Sequence, residues 1–216
     1  MNISDFQNVV LNYSTSDDGN MSFLKGDYKS TLDNRKRFLK KNNLAFSDIV
    51  VSATSGNYDT YIASKKDLGK GARDGLKSIQ ADAVMTNTND VYLFLLTGDC
   101  LPISVYDPVH TVISLVHLSK SNSDFILKKT IKHMSEKFKC SPENLIVEIG
   151  PSIGPCHYDT DLWQLVESDL LDLGVNSNNI SNLKICTYES GKYYSHRKAS
   201  DDNLIDARFC TILGLK

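Results

Sequence analysis

Hydrophobic and polar positions follow two different spacings along this chain. Short runs rich in β-branched and aromatic residues, bounded by polar turns, predict strands. They lie at 8–13, 49–53, 83–86, 91–96, 103–106, 111–116, 145–149 and 183–188. Apolar residues at helical spacing predict helices at 30–43, 123–138, 161–173 and 201–213. Ser30 is expected to cap the first helix, and Gly174 to end the third.

The mixture of strands and helices predicts an α/β (α+β) fold. We expect a layered sandwich, in which a mixed β-sheet is covered by outer helices. A length of 216 residues fits one large domain or two small ones, and the sequence has neither internal repeats nor an obvious linker. The sequence therefore predicts a single domain over residues 1–216.

Composition and charge narrow the set of partners. Hydrophobic residues make up 41% of the chain and charged residues 23%, which is ordinary for a globular protein. The net charge of −2 gives no broad attraction to nucleic acid or to an anionic membrane. The basic residues Arg35, Lys36, Arg37, Lys40 and Lys41 fall on the first predicted helix, where a solvated face is expected.

The sequence also indicates where the protein works. No segment approaches the roughly 20 apolar residues that a membrane span requires. The first residues lack the basic start and apolar run of a signal peptide. The five cysteines are odd in number, widely spaced and without a CxxC pair. Reduced thiols in a cytoplasmic location are therefore expected.

A predicted hairpin in the middle of the chain carries the candidate chemistry. Asp107 and Pro108 form a turn signal between two apolar runs. If Asp107 pairs with His110, the antiparallel register places Cys100 directly opposite His117, unless a bulge shifts it.

This pair has three interpretations. A thiol and an imidazole can form a nucleophile–base pair, can be two ligands of a zinc ion, or can simply be packed. Asp99 adds a carboxylate, which could hold the second nitrogen of His117, bind a substrate group or cap the turn.

Two longer blocks carry a family resemblance. Residues 81–87 (ADAVMTN) followed by 96–103 (LTGDCLPI) resemble the "ADALVT…TADCLPV" block of the laccase-domain family, also called the polyphenol oxidase or YfiH-like family. Residues 150–159 (GPSIGPCHYD) resemble its "GPAIGPCCYEV" block. A late Arg208 is a weaker match. The chain is identified as a member of this family.

The resemblance implies helices packed around β-sheets and a purine nucleoside phosphorylase activity. Such enzymes act with phosphate on adenosine, inosine, guanosine or methylthioadenosine, with some adenosine deamination. The family binds zinc through two histidines and one cysteine, whereas an older description assigns copper-dependent polyphenol oxidation. The cysteine falls on Cys100 and one histidine on His117, and Arg208 would contact substrate. Nucleoside and phosphate are the implied partners, and a homodimer is left open.

Three departures from the family pattern concern the site. Residues 52–58, which replace the segment that carries the family's first histidine, contain none. The family's Ala-Gly-Trp-Arg-Gly after the second histidine is replaced by residues 118–122 (LSKSN), which leaves Lys120 as a substitute cation. His157 replaces the second cysteine of the family's second block and could supply a ligand.

These departures leave three functions open. The first is a purine nucleoside phosphorylase with a partly altered zinc site. The second is a catalytically inactive member that acts as a binding or scaffold protein. The third is a metal-free hydrolase or transferase that uses Cys100 and His117.

Overall fold

The computed structural model describes residues 1–54, 56 and 58–216. The strands in these ranges are β1 (Val9–Tyr13), β2 (Ile49–Ala53), β3 (Thr60–Ile62), β4 (Ile79–Gln80), β5 (Ala83–Thr86), β6 (Tyr92–Thr97), β7 (Leu101–Asp107), β8 (Val112–Leu118), β9 (Ile146–Ile149), β10 (Ile180–Asn182) and β11 (Phe209–Leu215). The α-helices are α1 (Tyr28–Lys41), α2 (Ile126–Phe138), α3 (Leu162–Asp172), α4 (Thr187–Ser190) and α5 (His196–Asp201). None of these helices has the length and apolar character of a membrane span.

The strands form two mixed sheets. The first has the order β1-β11-β6-β2-β4, and the second has the order β10-β9-β7-β8-β5-β3. In the first sheet, β6 is antiparallel to β11 and parallel to β2. In the second, β7 is antiparallel to both β8 and β9. The sequence predicted a mixed sheet, and the chain builds two.

Alternation along the central strands distributes the core over four layers. In β6, Leu93 and Leu95 face the second sheet, whereas Phe94 packs under α1. In β8, Leu115 points between the sheets and Val116 points toward α2 and α3. The order of layers is therefore helix, sheet, sheet, helix. This arrangement confirms the predicted α/β sandwich with outer helices.

Helix α1 differs from its prediction in its cap and in its basic face. Asp27 is the N-cap, because its carboxylate accepts the N–H of Ser30. Arg35 was expected in solvent, but it is only 1% exposed. Its guanidinium donates to the carbonyl oxygens of Met21, Gly71 and Ala72 at 2.7 to 3.0 Å. The other basic residues of the run are exposed, as expected for a solvated helix face.

The last quarter of the chain departs furthest from prediction. The predicted helix over 201–213 is wrong, because its second half belongs to the buried strand β11. The predicted strand over 183–188 is also wrong, because Cys186 forms only a bridge with Ser152 before α4 begins. A continuous apolar run bordered by polar residues fits a fully buried strand and a buried helix equally well by its pattern.

Candidate functional site

Strands β7 and β8 form the predicted hairpin in a different register. Pro102 lies opposite His117, and Leu101 lies opposite Leu118. The expectation that Cys100 directly faces His117 is therefore wrong by two residues. Because side chains alternate across a strand, a shift of two leaves both residues on the same face. Cys100 and His117 are diagonal neighbours, close enough for the thiol to raise the pKa of the imidazole.

The turn of the hairpin explains the change of register. Four residues, 108–111, connect the strands instead of two, and Thr111 adopts a left-handed conformation with φ of 53°. The Asp107 carboxylate accepts the N–H groups of Val109 and His110 at 2.8 and 3.2 Å. An Asp-Pro turn therefore forms as predicted, but it is wider than the sequence suggested.

Asp82, immediately before β5, holds His117 in place. Its carbonyl oxygen accepts the His117 N–H at 2.7 Å. Its carboxylate Oδ1 lies 3.6 Å from His117 Nδ1, which is an ion-pair distance and longer than a hydrogen bond. Asn122 donates to both, reaching the His117 carbonyl at 3.0 Å and the Asp82 carboxylate at 3.4 Å. The backbone and the ring of His117 are thus both positioned by one acidic residue.

These contacts determine the charge of His117. Burial alone lowers the pKa of this histidine, whose side chain is 11% exposed. The neighbouring Asp82 and Cys100 outweigh burial and raise the pKa to about 9. His117 is therefore an imidazolium at neutral pH.

Asp99 has a different position from the one considered for it. Its carboxylate accepts the Thr187 hydroxyl and the Arg197 N–H, each at 2.7 Å. Its carbonyl oxygen accepts the Ile153 N–H at 2.9 Å. Asp99 thus fastens three segments around the site, and the carboxylate beside His117 is that of Asp82. The sequence reasoning missed Asp82, although it lies within the ADAVMTN block that carries the resemblance.

Two cavities meet at Cys100. The smaller, about 340 Å³, has an apolar wall of Ile153, Tyr158 and Leu162, and its lining also includes Lys120 and Arg197. The larger, about 450 Å³, is lined by His117, by the basic Lys25 and Arg208 and by apolar residues such as Phe23. The residues that line both are Asp99, Cys100, Ser119 and His196. Cys100 therefore lies between a smaller chamber that has an apolar wall and a larger one whose lining includes Lys25 and Arg208.

The basic side chains of the larger cavity are paired with a carboxylate. Asp206 contacts Lys25 Nζ at 2.8 Å, His196 Nδ1 at 3.2 Å and the Arg208 guanidinium. Burial raises the pKa of Asp206, but these basic neighbours lower it well below the usual range. Lys25 and Arg208 thus share the carboxylate of Asp206, and Asp99 is a second carboxylate in the lining. Lys120, at the smaller cavity, is paired with Asp159 at 2.8 Å.

The molecule has a larger cavity elsewhere, of about 980 Å³, between α1 and the loops around Phe46 and Leu68. Its lining residues include neither cysteine nor histidine. We therefore place the candidate site at Cys100, where a cavity coincides with reactive side chains.

A resident metal does not fit the donors around Cys100 as they stand. A catalytic zinc site uses three protein ligands and one open position. Among the described residues, the clusters of three closely spaced potential ligands include neither Cys100 nor His117. The replaced histidine segment contains Ser55 and Asn57, which lie outside the described residues. His157, which could supply a ligand according to the sequence, clusters with Cys156 and Cys186.

The protein is thus a helix–sheet–sheet–helix sandwich with a Cys–His–Asp site between two cavities. Comparison with known proteins identifies its family. The family model of the multi-copper polyphenol oxidoreductase laccases matches residues 11–161 and 157–216. The chain belongs to this family.

Relatives by sequence include the purine nucleoside phosphorylase YlmD of Bacillus subtilis. It is 30% identical over an alignment of 185 residues, which covers 71% of this chain and 66%, just under two thirds, of the Bacillus protein. The purine nucleoside phosphorylase CA_C1699 of Clostridium acetobutylicum is 27% identical over 220 residues, covering 87% and 85% of the two chains.

Solved structures share the fold. YlmD from Geobacillus stearothermophilus superposes with a TM-score of 0.91 at 23% identity, covering 98% of this chain and 93% of its own. YfiH from Bacillus licheniformis gives 0.92 at 20% identity, with coverages of 99% and 95%.

Proposed function

We propose that this protein is a purine nucleoside phosphorylase that cleaves adenosine, inosine or methylthioadenosine with phosphate. The observation that carries the proposal is the Cys100–His117–Asp82 group at the junction of two cavities, one with an apolar wall and one with basic side chains in its lining. Two relatives bear the name of this activity. The reduced state expected for the five cysteines, all free here, favours a cytoplasmic setting.

The two cavities match the two ends of the reaction. A purine base is planar and apolar on its faces, so it suits the chamber with Tyr158 and Ile153. Phosphate suits the chamber with Lys25 and Arg208. The ribose then lies between them, beside Cys100 and His117. Holding both reactants across this junction supplies the orientation that a displacement at the sugar carbon requires.

His117 acts as the general acid in this mechanism. A phosphate oxygen forms a bond to C1′ of the ribose while the bond from C1′ to the purine nitrogen breaks. The electron pair of that bond leaves with the base, and the His117 imidazolium donates a proton to it. Asp82 keeps His117 charged and orients the ring, and Cys100 contacts it on the substrate side. The products are a free purine and the 1-phosphate of the substrate's sugar, which is ribose for adenosine and inosine and methylthioribose for methylthioadenosine.

The test is a turnover assay with separated products. The native chain is incubated with each nucleoside, with and without phosphate, beside Cys100→Ala and His117→Ala. We expect phosphate-dependent release of free base, reduced about 10²- to 10⁴-fold in His117→Ala. His133→Ala is the matched control, because His133 lies on α2 and contacts Thr60. Conversion of adenosine to inosine in the same samples would report deamination.

Two results would reject the proposal. Release of base that is independent of phosphate would indicate a hydrolase. Nucleoside binding without any product would indicate an inactive binding protein.

A second candidate function rests on the order thiol, imidazole, carboxylate. In this arrangement Cys100 is the nucleophile, His117 is its base and Asp82 orients the base. Such a group of residues would serve a metal-free hydrolase or transferase. It predicts that iodoacetamide alkylates Cys100 much faster than the exposed Cys156. Equal rates would remove this candidate.

A further inference from the structure

A second cluster of ligand-type side chains lies outside the site described above. A ring nitrogen of His157 and the sulfur atoms of Cys156 and Cys186 all lie within 4.8 Å of one another. Tetrahedral zinc binds sulfur at about 2.3 Å and imidazole nitrogen at about 2.0 Å, which puts neighbouring ligand atoms roughly 3.3 to 3.8 Å apart. We infer that Cys156, His157 and Cys186 form a zinc site that is separate from the proposed reaction centre.

The surroundings of His157 are those of a metal ligand. Its Nε2 lies 3.1 Å from the Glu189 carboxylate, and its ring stacks on Tyr188 at 3.8 Å between centroids. Its Nδ1 is buried and has no hydrogen-bond partner among the residues described. A carboxylate that holds one ring nitrogen while the other binds metal is the usual arrangement at zinc sites. A zinc ion would satisfy the nitrogen that the fold leaves without a partner.

The two sulfur atoms differ in a way that suits a partly open site. Cys186 is almost buried, and its sulfur accepts the Gly154 N–H at 3.3 Å. Cys156 is exposed and lies on a turn, where its side chain can rotate toward the ion. Two thiolates, one imidazole and one water would complete four-coordinate zinc. Binding displaces two thiol protons, so the charge of the two thiolates balances that of the ion.

A disulfide between Cys156 and Cys186 explains less of the geometry. It would leave the buried His157 Nδ1 without a partner. The comparable cluster of Asp107, His110 and Cys140 shows what a structural group looks like. There the Asp107 carboxylate accepts an N–H of the hairpin turn and also contacts His110 Nδ1, so this ring nitrogen already has a partner.

An ion at this position would stiffen one wall of the candidate site. The loop that carries Cys156 also contributes Ile153 and Tyr158 to the apolar cavity. The backbone of Cys186 already forms a β-bridge with that of Ser152, and the hydroxyl of the adjacent Thr187 donates to the Asp99 carboxylate. A zinc ion would thus bind this loop to the segment of Cys186 and Thr187, which holds Asp99.

Cobalt(II) titration of the full reduced chain tests this site. The starting protein is Cys100→Ala/His117→Ala, which removes the other thiol–imidazole pair. We expect one equivalent of Co²⁺ to bind, with a thiolate-to-cobalt charge-transfer band that Zn²⁺ abolishes by displacement. Adding Cys156→Ser, at an exposed position, should halve this band per bound ion. Adding His157→Ala should weaken binding at least tenfold, and Glu189→Gln about tenfold. His133→Ala is the matched histidine control and should leave the titration unchanged.

Three outcomes would overturn the inference. One is the absence of a charge-transfer band in the starting protein while its circular dichroism remains native. Another is a band that Cys156→Ser and His157→Ala do not alter. The third is a mass two hydrogens lower, restored by reductant, together with no metal binding by the reduced protein, which would identify a disulfide pair instead. None of these results depends on turnover, so the site can fail while the proposed reaction stands, and the reverse.

Discussion

Two contacts join Asp82 to His117, one through the backbone and one through the side chains. The side-chain contact determines how much of the imidazole is charged, because burial and the carboxylate act on its pKa in opposite directions. Asp99 follows β6 and is the neighbour of Cys100 in sequence. Its carboxylate accepts hydrogen bonds from the Thr187 hydroxyl and the Arg197 N–H. The two carboxylates therefore have separable effects.

Replacing Asp82 with asparagine should lower the pKa of His117 from about 9 by about 1 to 3 units, since the favourable charge is lost and burial remains. Imidazole NMR titration of the metal-free protein measures this value. Asp99→Asn is the matched variant and should leave the His117 pKa unchanged. An equal shift in both variants would contradict the assignment of Asp82.

Stability should depend on pH through the same histidine. Its pKa is raised on folding from about 6.5 to about 9, so its contribution is complete below pH 6.5 and is lost as the pH rises through 9. The difference corresponds to about 3 kcal/mol at most. Urea unfolding at pH 6 and pH 9.5 should show this decrease, and Asp82→Asn should flatten it. A pH dependence that Asp82→Asn leaves unchanged would rule out this origin.

At the residue scale, the sequence identified the reactive side chains better than it predicted their positions. Cys100 and His117 were predicted to come together, and they do. The predicted register was two residues off, because Thr111 adopts a left-handed conformation that widens the turn. Threonine rarely adopts this conformation, so its presence in the sequence gives no sign of the wider turn. Asp82 was missed because its partner is 35 residues away in sequence, and only the sheet brings β5 beside β8.

At the scale of elements, α1 packs on the first sheet by its apolar face and is joined to two neighbouring loops by a buried cation, Arg35. Arg35→Ala should destabilise the protein by about 3 kcal/mol, because three carbonyl oxygens lose their charged donor. Urea unfolding measures the loss. Arg35→Lys should recover only part of it, since an ammonium cannot reach all three acceptors in a plane. Lys36→Ala, one residue along and exposed, should change stability by less than about 0.5 kcal/mol.

The pairing of β11 with β6 depends on a glycine. Gly214 lies opposite Tyr92, and a Cβ at this position would collide with the tyrosine ring. Gly214→Ala should therefore cost about 1 to 3 kcal/mol of unfolding free energy. In the double variant with Tyr92→Ala, the loss should be smaller than the sum of the two single losses. Strict additivity would show that the ring is not the obstacle. Gly75→Ala, where there is room for a methyl group, should be nearly neutral.

Strands bounded by clear turns were predictable, and the last ones were not. The patterns at 49–53 and 83–86 gave β2 and β5 with the bounds that the structure has. The run that forms β11 was interpreted as a helix, because a strand buried on both faces lacks the alternation that identifies strands. What decides its conformation is the pair of neighbours, β1 and β6, on either side.

At the scale of the whole molecule, the two sheets share one core. Leu93 and Leu213 from the first sheet pack with Tyr106, Ile113 and other residues of the second. We therefore propose that residues 1–216 unfold as one unit. Trp163, the single tryptophan, lies on α3 and donates to Ser152, so its fluorescence reports the outer layer of the second sheet.

Urea unfolding followed by this fluorescence and by far-ultraviolet circular dichroism should give coincident midpoints. The comparison is best made at two protein concentrations, because a dimer would make the midpoint depend on concentration. Separate midpoints would divide the molecule into two folding units and contradict the single-domain prediction.

The place of β11 has a consequence for how the protein is made. It pairs with β1 on one side and β6 on the other, with Val9 opposite Leu215. A ribosome completes the segment Phe209–Leu215 long after β1 has emerged. Until then, β1 lacks its sheet neighbour and one edge of β6 is unpaired. Such edges invite pairing with other chains, and contacts so distant in sequence form slowly. Nascent chains of this protein therefore pass through an aggregation-prone interval that ends only when the final strand closes the first sheet.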